Sequence, residues 1–317
     1  MDLETVGVVG AGLMGHGIAL QSALSGHRTV LVDTTDDNLE RATANIRTTL
    51  GLLEQLDLAG PEAGSAPERI ETTTDLRAAA AAADFWIEAV FEDLALKKRV
   101  FAKLDDVAPA HVIFASNTSS FMTSQLAPAT QRRDQVLVAN WWNPPYLLPL
   151  VEVVRGPETS DATVDLTVGL FRRLGKRPVV LQRESPGFIG NRLQFALLRE
   201  ALAIVEAGVA APEDVDAVVT SSFGRRLAVA GPLEVFDVAG WDTIAAIAEQ
   251  LFPDLDNAEN ISETLGELVA RGDHGVKSGQ GFYPWTEASA ARVRERIAVA
   301  LAAIEQLQRT GDTTGAK

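Results

Sequence analysis

The stretch TVGVVGAGLMG, residues 5–15, begins as a β-branched run and ends in a glycine-rich turn. A helical spacing of Met14, Ile18, Ala19 and Ser22 follows it. Gly10, Gly12 and Gly15 fit G-x-G-x-x-G, with Ala11, Leu13 and Met14 between them. In such a strand–turn–helix unit the first glycine permits the tight turn and the second lets a pyrophosphate approach the backbone. The third brings helix and strand close together, and the helix N-terminus faces the phosphates. The motif alone is weak, and its context strengthens it: a second apolar run, 28–32, ends in Asp33, at the spacing expected for a ribose hydroxyl contact. A carboxylate there repels a 2′-phosphate, and Thr34, Thr35, Asp36 and Asp37 offer no arginine. NAD(H) is therefore expected in preference to NADP(H). His16, on the first helical turn, is expected to face solvent or phosphate rather than to do chemistry.

Outward from this unit, apolar runs recur at 84–89, 112–115, 136–139, 150–154 and 178–181, separated by helix-length segments. Strands alternating with helices imply a mostly parallel sheet covered on both faces. The alternation stops after Pro186-Gly187, and helical patterning then dominates, as in 191–207, 212–220 and 243–252. The expected fold is α/β: a Rossmann-type doubly wound domain over 1–185 and an all-helical domain over 186–317. GPEAGSAPE, 60–68, reads as a flexible loop, and the tail after Gln308 as frayed.

Composition narrows the function classes. A chain of 317 residues is long enough for two cores. A net charge of −15 speaks against nucleic acid or an anionic membrane surface as partner. Without cysteine there is no disulfide, no thiol nucleophile and no Cys-based zinc site, and no metal is expected. MDLETVGVVGAG does not read as a signal peptide, and no apolar run approaches the ~20 residues of a membrane span. A cytoplasmic protein is expected.

Two further strings suggest a site. Ser116-Asn117-Thr118-Ser119-Ser120 follows the run 112–115, at a strand C-terminal end, where open α/β sheets bind ligands. Asn143-Pro144-Pro145 reads as a rigid turn or as a wall of the same crevice. With GAGLMGHGIA at 10–19, EDLALK at 92–97, LVEVV at 150–154, PGFIGNRL at 186–193, GPLEVFD at 231–237 and KSGQGFY at 277–283, these strings resemble the L-3-hydroxyacyl-CoA dehydrogenase family along nearly the whole chain. PPYLLPLVEVV, NRLQFALLREALAIVEAG and SSFGRRLAVAGPLE look most like its L-gulonate 3-dehydrogenase (lambda-crystallin) and carnitine dehydrogenase branch, which acts on 3-hydroxy acids without CoA.

The resemblance implies hydride transfer between NAD(H) and a 3-hydroxy or 3-oxo substrate, with a histidine as base and a glutamate orienting it. Glu152 matches the glutamate, but Asn140 stands twelve residues earlier, in the histidine's place. An amide has no useful basicity, so the dyad is incomplete. Three readings remain: an introduced near-isosteric knock-out, a natural enzyme using Asn140 as a hydrogen-bonding group with Glu152 or water as base, or an imine-reducing site. A non-catalytic or structural role is a further alternative. Ser119 and Asn191 match substrate-oxygen contacts, and Glu92, Lys97, Asn117, Asn143 and Lys277 match cofactor contacts. The lysines alone would also suit a solvated surface. Segment 34–69 holds three arginines against seven carboxylates, a poor cradle for CoA phosphates. Arg225 and Arg226, in the loop before Gly231, could instead meet a small carboxylate, and Trp141, Trp142 and Tyr146 suggest an aromatic-lined pocket. The family resemblance adds a homodimer through the helical domain and a site in the interdomain cleft.

Overall fold

The computed structural model describes residues 3–312. Its backbone contacts form two compact units, one ending at Arg192 and one beginning at Leu193. The first is built on β1 (Thr5–Val9), α1 (Gly15–Leu24), β2 (Arg28–Val32), α2 (Asp36–Gln55), β3 (Ile70–Thr73), α3 (Leu76–Ala79), β4 (Phe85–Glu88), α4 (Leu94–Asp105), β5 (Ile113–Ser116), α5 (Thr123–Leu126), β6 (Val136–Trp141), β7 (Leu150–Arg155), α6 (Asp161–Arg173) and β8 (Arg177–Leu181). All five residues of β1 are buried, because β1 lies inside the sheet with both faces covered. Each buried valine there contributes about 1.5–3 kcal/mol.

The eight strands lie in the order β3-β2-β1-β4-β5-β6-β7-β8. All neighbours run parallel except β6 and β7, which are antiparallel. This is the doubly wound sheet expected from the sequence. From β1 the chain moves outward through β2 and β3, then returns to the opposite side of β1 at β4. That reversal opens a crevice at the carboxyl ends of β1 and β4, where such sheets bind ligands.

Local signals place the flanking helices. Thr35 caps α2, accepting from Asn38 N at 3.3 Å, and Asp93 caps α4, accepting from Leu96 N at 2.6 Å. α1 differs: no side chain caps its start and no acidic residue stands in its first turn. Beneath the helices, Phe85 meets Phe171 edge-on at 5.6 Å, and Phe101 packs on Phe114 at 5.8 Å.

Three local details differ from the sequence reading. Segment 60–68 is no flexible loop: a 3-10 helix spans Ala63–Arg69, anchored by buried Ala63 and Ala66 and by an Arg69–Glu62 ion pair. The edge strand β3, IETT, has no buried residue and was not legible as an apolar run. The frayed tail is a helix as far as Asp312, and 313–317 lies outside the described residues.

α7 (Gly190–Glu206) opens at the end of the first unit. The second holds α8 (Pro212–Ser221), α9 (Phe223–Leu227), α10 (Pro232–Ala239), α11 (Trp241–Leu251), α12 (Glu263–Arg271) and α13 (Glu287–Asp312). Among its described residues the buried apolar ones are Leu202, Leu268, Ala290, Ala298 and Ala302.

Candidate active site

A crevice of about 800 Å³ opens over the glycine-rich turn. Gly10 takes φ +100°, and a Cβ there would lie 2.6 Å from Ala89 O. A Cβ on Gly15 would lie 1.7 Å from Gly10 O, so only glycine lets α1 start this close to β1. Gly12 has nothing within 4 Å of its Cβ position. An open backbone in front of an uncapped helix start fits a pyrophosphate, since the first N–H groups of α1 have no side-chain partner. His16 does not face solvent: it is buried, and its Nδ1 donates to Gly12 O at 2.7 Å.

Asp33 lines the same crevice. Its Oδ2 accepts from Ala11 N at 2.7 Å, and its Oδ1 accepts from Thr34 N at 2.7 Å and Asn38 Nδ2 at 2.6 Å. Partial burial alone would raise its pKa, but these donors outweigh it and hold the carboxyl below its ordinary value. Gly10, Gly12, Leu13, Met14, Asp33, Glu92 and Asn117, expected as cofactor contacts, line this crevice together with Ser119, expected to meet the substrate, while Gly15 lies behind the lining.

Lys97 stands elsewhere. It is fully buried, neither a solvated lysine nor part of the crevice lining. Its Nζ pairs with Glu88 Oε1 at 2.9 Å and Glu92 Oε2 at 3.1 Å, and donates to Val90 O at 3.3 Å. Glu88 also accepts from Ser116 Oγ at 2.6 Å and Val90 N at 2.7 Å. Burial pushes the Glu88 pKa up, against the pull of Lys97 and these donors. For Glu92, half-burial raises the pKa, but Thr118 and Lys97 overcome it and the value falls. Lys97 thus fixes Glu92 from behind the crevice wall. Glu88 was missed from sequence, although a carboxylate in the apolar run 84–89 was the available signal; Ser116 and Thr118 belong to the string 116–120 already read as part of a site, without a role given to either.

Asn140 and Glu152 are direct partners across the antiparallel β6/β7 pair. Opposite residues in such a pair present side chains to the same face. Asn140 Nδ2 donates to Glu152 Oε2 at 2.9 Å. Trp142 Nε1 donates to the same oxygen at 3.4 Å, and Ile189 N and Gly190 N donate to Oε1 at 2.9 and 3.0 Å. The carboxylate therefore sits at the start of α7, where the helix dipole favours negative charge. A carboxylate only accepts, so the amide NH2 of Asn140 must face it and the amide oxygen points away. Asn191 lies half-buried on the first turn of the same helix.

The remaining candidates divide. Asn117 accepts from Trp141 N at 2.8 Å through Oδ1, and Asn143 is exposed before Pro144. Trp141 belongs to the core rather than to a pocket wall: it is buried, edge-on to Phe171 at 5.4 Å, with Lys176 Nζ 5.3 Å over its ring. Tyr146 packs by Gly17 of α1, where a Cβ would lie 3.1 Å from the ring. Arg225 and Arg226 stand on α9 rather than in a loop, exposed, and Lys277 is exposed. These three belong to the second unit.

An uncapped glycine turn at the switch point of a doubly wound sheet, backed by a carboxylate that closes the second strand, defines a dinucleotide-binding α/β protein. The chain belongs to the 3-hydroxyacyl-CoA dehydrogenase family, a family of NAD-dependent oxidoreductases. The model of that family's NAD binding domain matches 5–185, and the model of its C-terminal domain matches 187–285. The mitochondrial hydroxyacyl-coenzyme A dehydrogenase of Sus scrofa is 38% identical over 292 residues, covering 89% of this chain and 91% of its own. A lambda-crystallin homolog of Bos taurus is 42% identical over 231 residues, 72% of each chain. Among solved structures, 5-formyl-3-hydroxy-2-methylpyridine 4-carboxylic acid 5-dehydrogenase, described as an NAD+ dependent dismutase, superposes with a TM-score of 0.91 at 32% identity, over 96% of this chain and 98% of that one.

Proposed function

We propose that the chain transfers hydride between NAD(H) and the 3-carbon of a small 3-hydroxy or 3-oxo acid that carries no CoA. The observation that carries this is the Asn140–Glu152 pair. Glu152 holds four hydrogen-bond donors in the arrangement that would otherwise orient a histidine base. When bound, the nicotinamide supplies or accepts the hydride. The chain's residues bind and orient. The crevice over Gly10, Gly12 and Gly15 takes the nucleotide, with Asp33 accepting a ribose hydroxyl, which favours NAD(H) over NADP(H). Glu92, Asn117 and Asn143 complete the cofactor contacts within the first unit, with Lys97 positioning Glu92. Ser119, Asn140 and Asn191 meet the substrate oxygen.

Glu152 is a positioning residue here. Taking up a proton would break at least one of its four hydrogen bonds, so the substrate proton is exchanged with water. Replacing Asn140 by histidine should raise turnover of free 3-hydroxy acids about 10²–10⁴-fold, the usual worth of a placed general base. The assay is NADH formation with 3-hydroxy acids, with their CoA thioesters in parallel. A thioester turned over far better than its free acid would overturn the free-acid reading. If neither form turns over any such acid while NADH binds, the non-catalytic alternative stands.

The amide orientation also favours a second reading. With NH2 committed to Glu152, Asn140 offers an oxygen to its substrate, which suits a protonated imine: hydride adds to carbon, the N–H stays, and no proton donor is needed. Ketone reduction to an amine with NADH and ammonia, lost in Asn140→His, would establish it.

Two further parts of the proposal concern the whole chain. A homodimer through the helical unit is supported by that unit's exposed apolar residues. A cytoplasmic setting is consistent with the absence of cysteine. Among the described residues no helix is long and apolar enough to cross a membrane.

A further inference from the structure

NAD carries its negative charge on the pyrophosphate, which meets the glycine-rich start of α1. The opposite end of the crevice, where the adenosine lies, receives no charge from NAD. Yet the crevice lining holds three cations, Arg41 of α2 and Arg99 and Lys103 of α4. Lys103 stands nine residues beyond Leu94, which opens α4, about 13 Å along the helix axis, while α4 itself starts beside Glu92. Arg99 and Lys103 are four apart and share a helix face.

None of the three cations has a carboxylate partner among the described residues. Arg41 donates to Asn38 Oδ1, and Asn38 Nδ2 donates to Asp33 Oδ1 at 2.6 Å, so the guanidinium stands two hydrogen bonds from the ribose-facing carboxylate. The carboxylates of the lining are Asp33 and Glu92, and Glu92 is already paired with Lys97. In a chain with 43 acidic and 28 basic residues, three cations without a carboxylate partner in the lining of one crevice stand out from the general surface. The acidic residues of α2 at Asp36, Asp37 and Glu40 are absent from this lining.

We propose that this end of the crevice is a subsite for a phosphomonoester on the adenosine ribose, held by Arg41, Arg99 and Lys103. Two guanidinium forks and an ammonium suit a dianionic phosphate, which accepts from several donors at once. The ligand chemistry is that of NADP, phosphorylated on the 2′ carbon, or of coenzyme A, phosphorylated on the 3′ carbon. The proposal rests on the crevice being the nucleotide site. It is compatible with a preference for NAD: Asp33 opposes a 2′-phosphate and sets the sign of that preference, while the cations limit its size.

Competition against bound NADH, read by fluorescence, tests it with three probes: adenosine 5′-monophosphate, adenosine 2′,5′-bisphosphate and adenosine 3′,5′-bisphosphate. Arg41→Ala and the double variant Arg99→Ala/Lys103→Ala alter exposed side chains and leave the fold in place. Each should weaken at least one bisphosphate about tenfold more than the monophosphate, and raised salt should do the same to the wild type. A larger loss for the 2′ isomer points to NADP, and for the 3′ isomer to coenzyme A; either supports the subsite. Equal losses for all three probes would mean that the guanidinium merely stacks on the base, and would overturn the subsite while leaving the nucleotide site intact. Failure of NADH itself to bind the wild type overturns both.

Discussion

At the residue scale, Glu152 shows what sequence reasoning could and could not supply. A carboxylate inside the apolar string LVEVV requires partners, and pairing with Asn140 twelve residues earlier follows once 136–154 is read as two strands joined by a turn. The partners at Ile189 and Gly190 were not legible, because they are backbone N–H groups 37 and 38 residues downstream and have no sequence signature. They dictate a specific outcome. In Glu152→Gln the amide can offer only one oxygen, so its NH2 must face either the backbone donors or Asn140 and Trp142. At least one buried donor then goes unmet, at about 1–3 kcal/mol. Urea unfolding should show a midpoint lowered accordingly with an unchanged slope. Asn140→His should not show that loss, since imidazole can donate to Glu152 as the amide does. A Glu152→Gln variant as stable as wild type would mean that the carboxylate is not held as described.

At the element scale, strands with apolar runs were legible and strands without them were not. β1 and β2 match the sequence reading at both ends, because buried parallel strands are apolar on both faces. β3 lies at the sheet edge, where IETT needs no apolar residue, and pairing with β2 alone defines it. The docking of α4 was equally hidden. From sequence Lys97 reads as a cofactor contact or a solvated cation, and only the sheet places Glu88 under it. Removing one partner of a buried pair costs about 3–5 kcal/mol, because the other charge is left uncompensated. Lys97→Met should lose about that much at pH 7. The pH dependence follows from Glu88, whose pKa burial already raises above its ordinary 4.5. Without Lys97 it rises further, so the folded variant binds a proton more tightly than the unfolded chain. The stabilisation from that proton is present below 4.5 and is lost as pH rises through the folded value. The deficit of Lys97→Met relative to wild type should therefore shrink on acidification from pH 7 to pH 5. Denaturant titrations at the two pH values read this, and an equal deficit at both would show that Glu88 does not carry it.

At the scale of the whole molecule, the two units differ in what they bury. The first has a continuous core of valines, leucines and aromatics, and among its described residues only Leu13, Phe91, Val179 and Ile189 are large, apolar and exposed. Among its described residues the second buries two leucines and three alanines, and exposes many large apolar residues, among them Phe195, Val238, Trp241 and Phe252. Periodicity made the helices of this unit legible, but periodicity does not say what covers an apolar face. A monomeric surface rarely carries so much apolar area, and a self-complementary C2 contact is the commonest way to cover it. Sedimentation at micromolar concentration should give a mass near twice 33.8 kDa. Because association stabilises the folded state by mass action, the unfolding temperature should rise with protein concentration. Replacing Val238 and Phe252, 88% and 70% exposed, by Glu should shift the mass toward the monomer and flatten that dependence, while NADH still binds. A monomer whose unfolding temperature is independent of concentration would leave the exposed apolar face of the second unit without this partner.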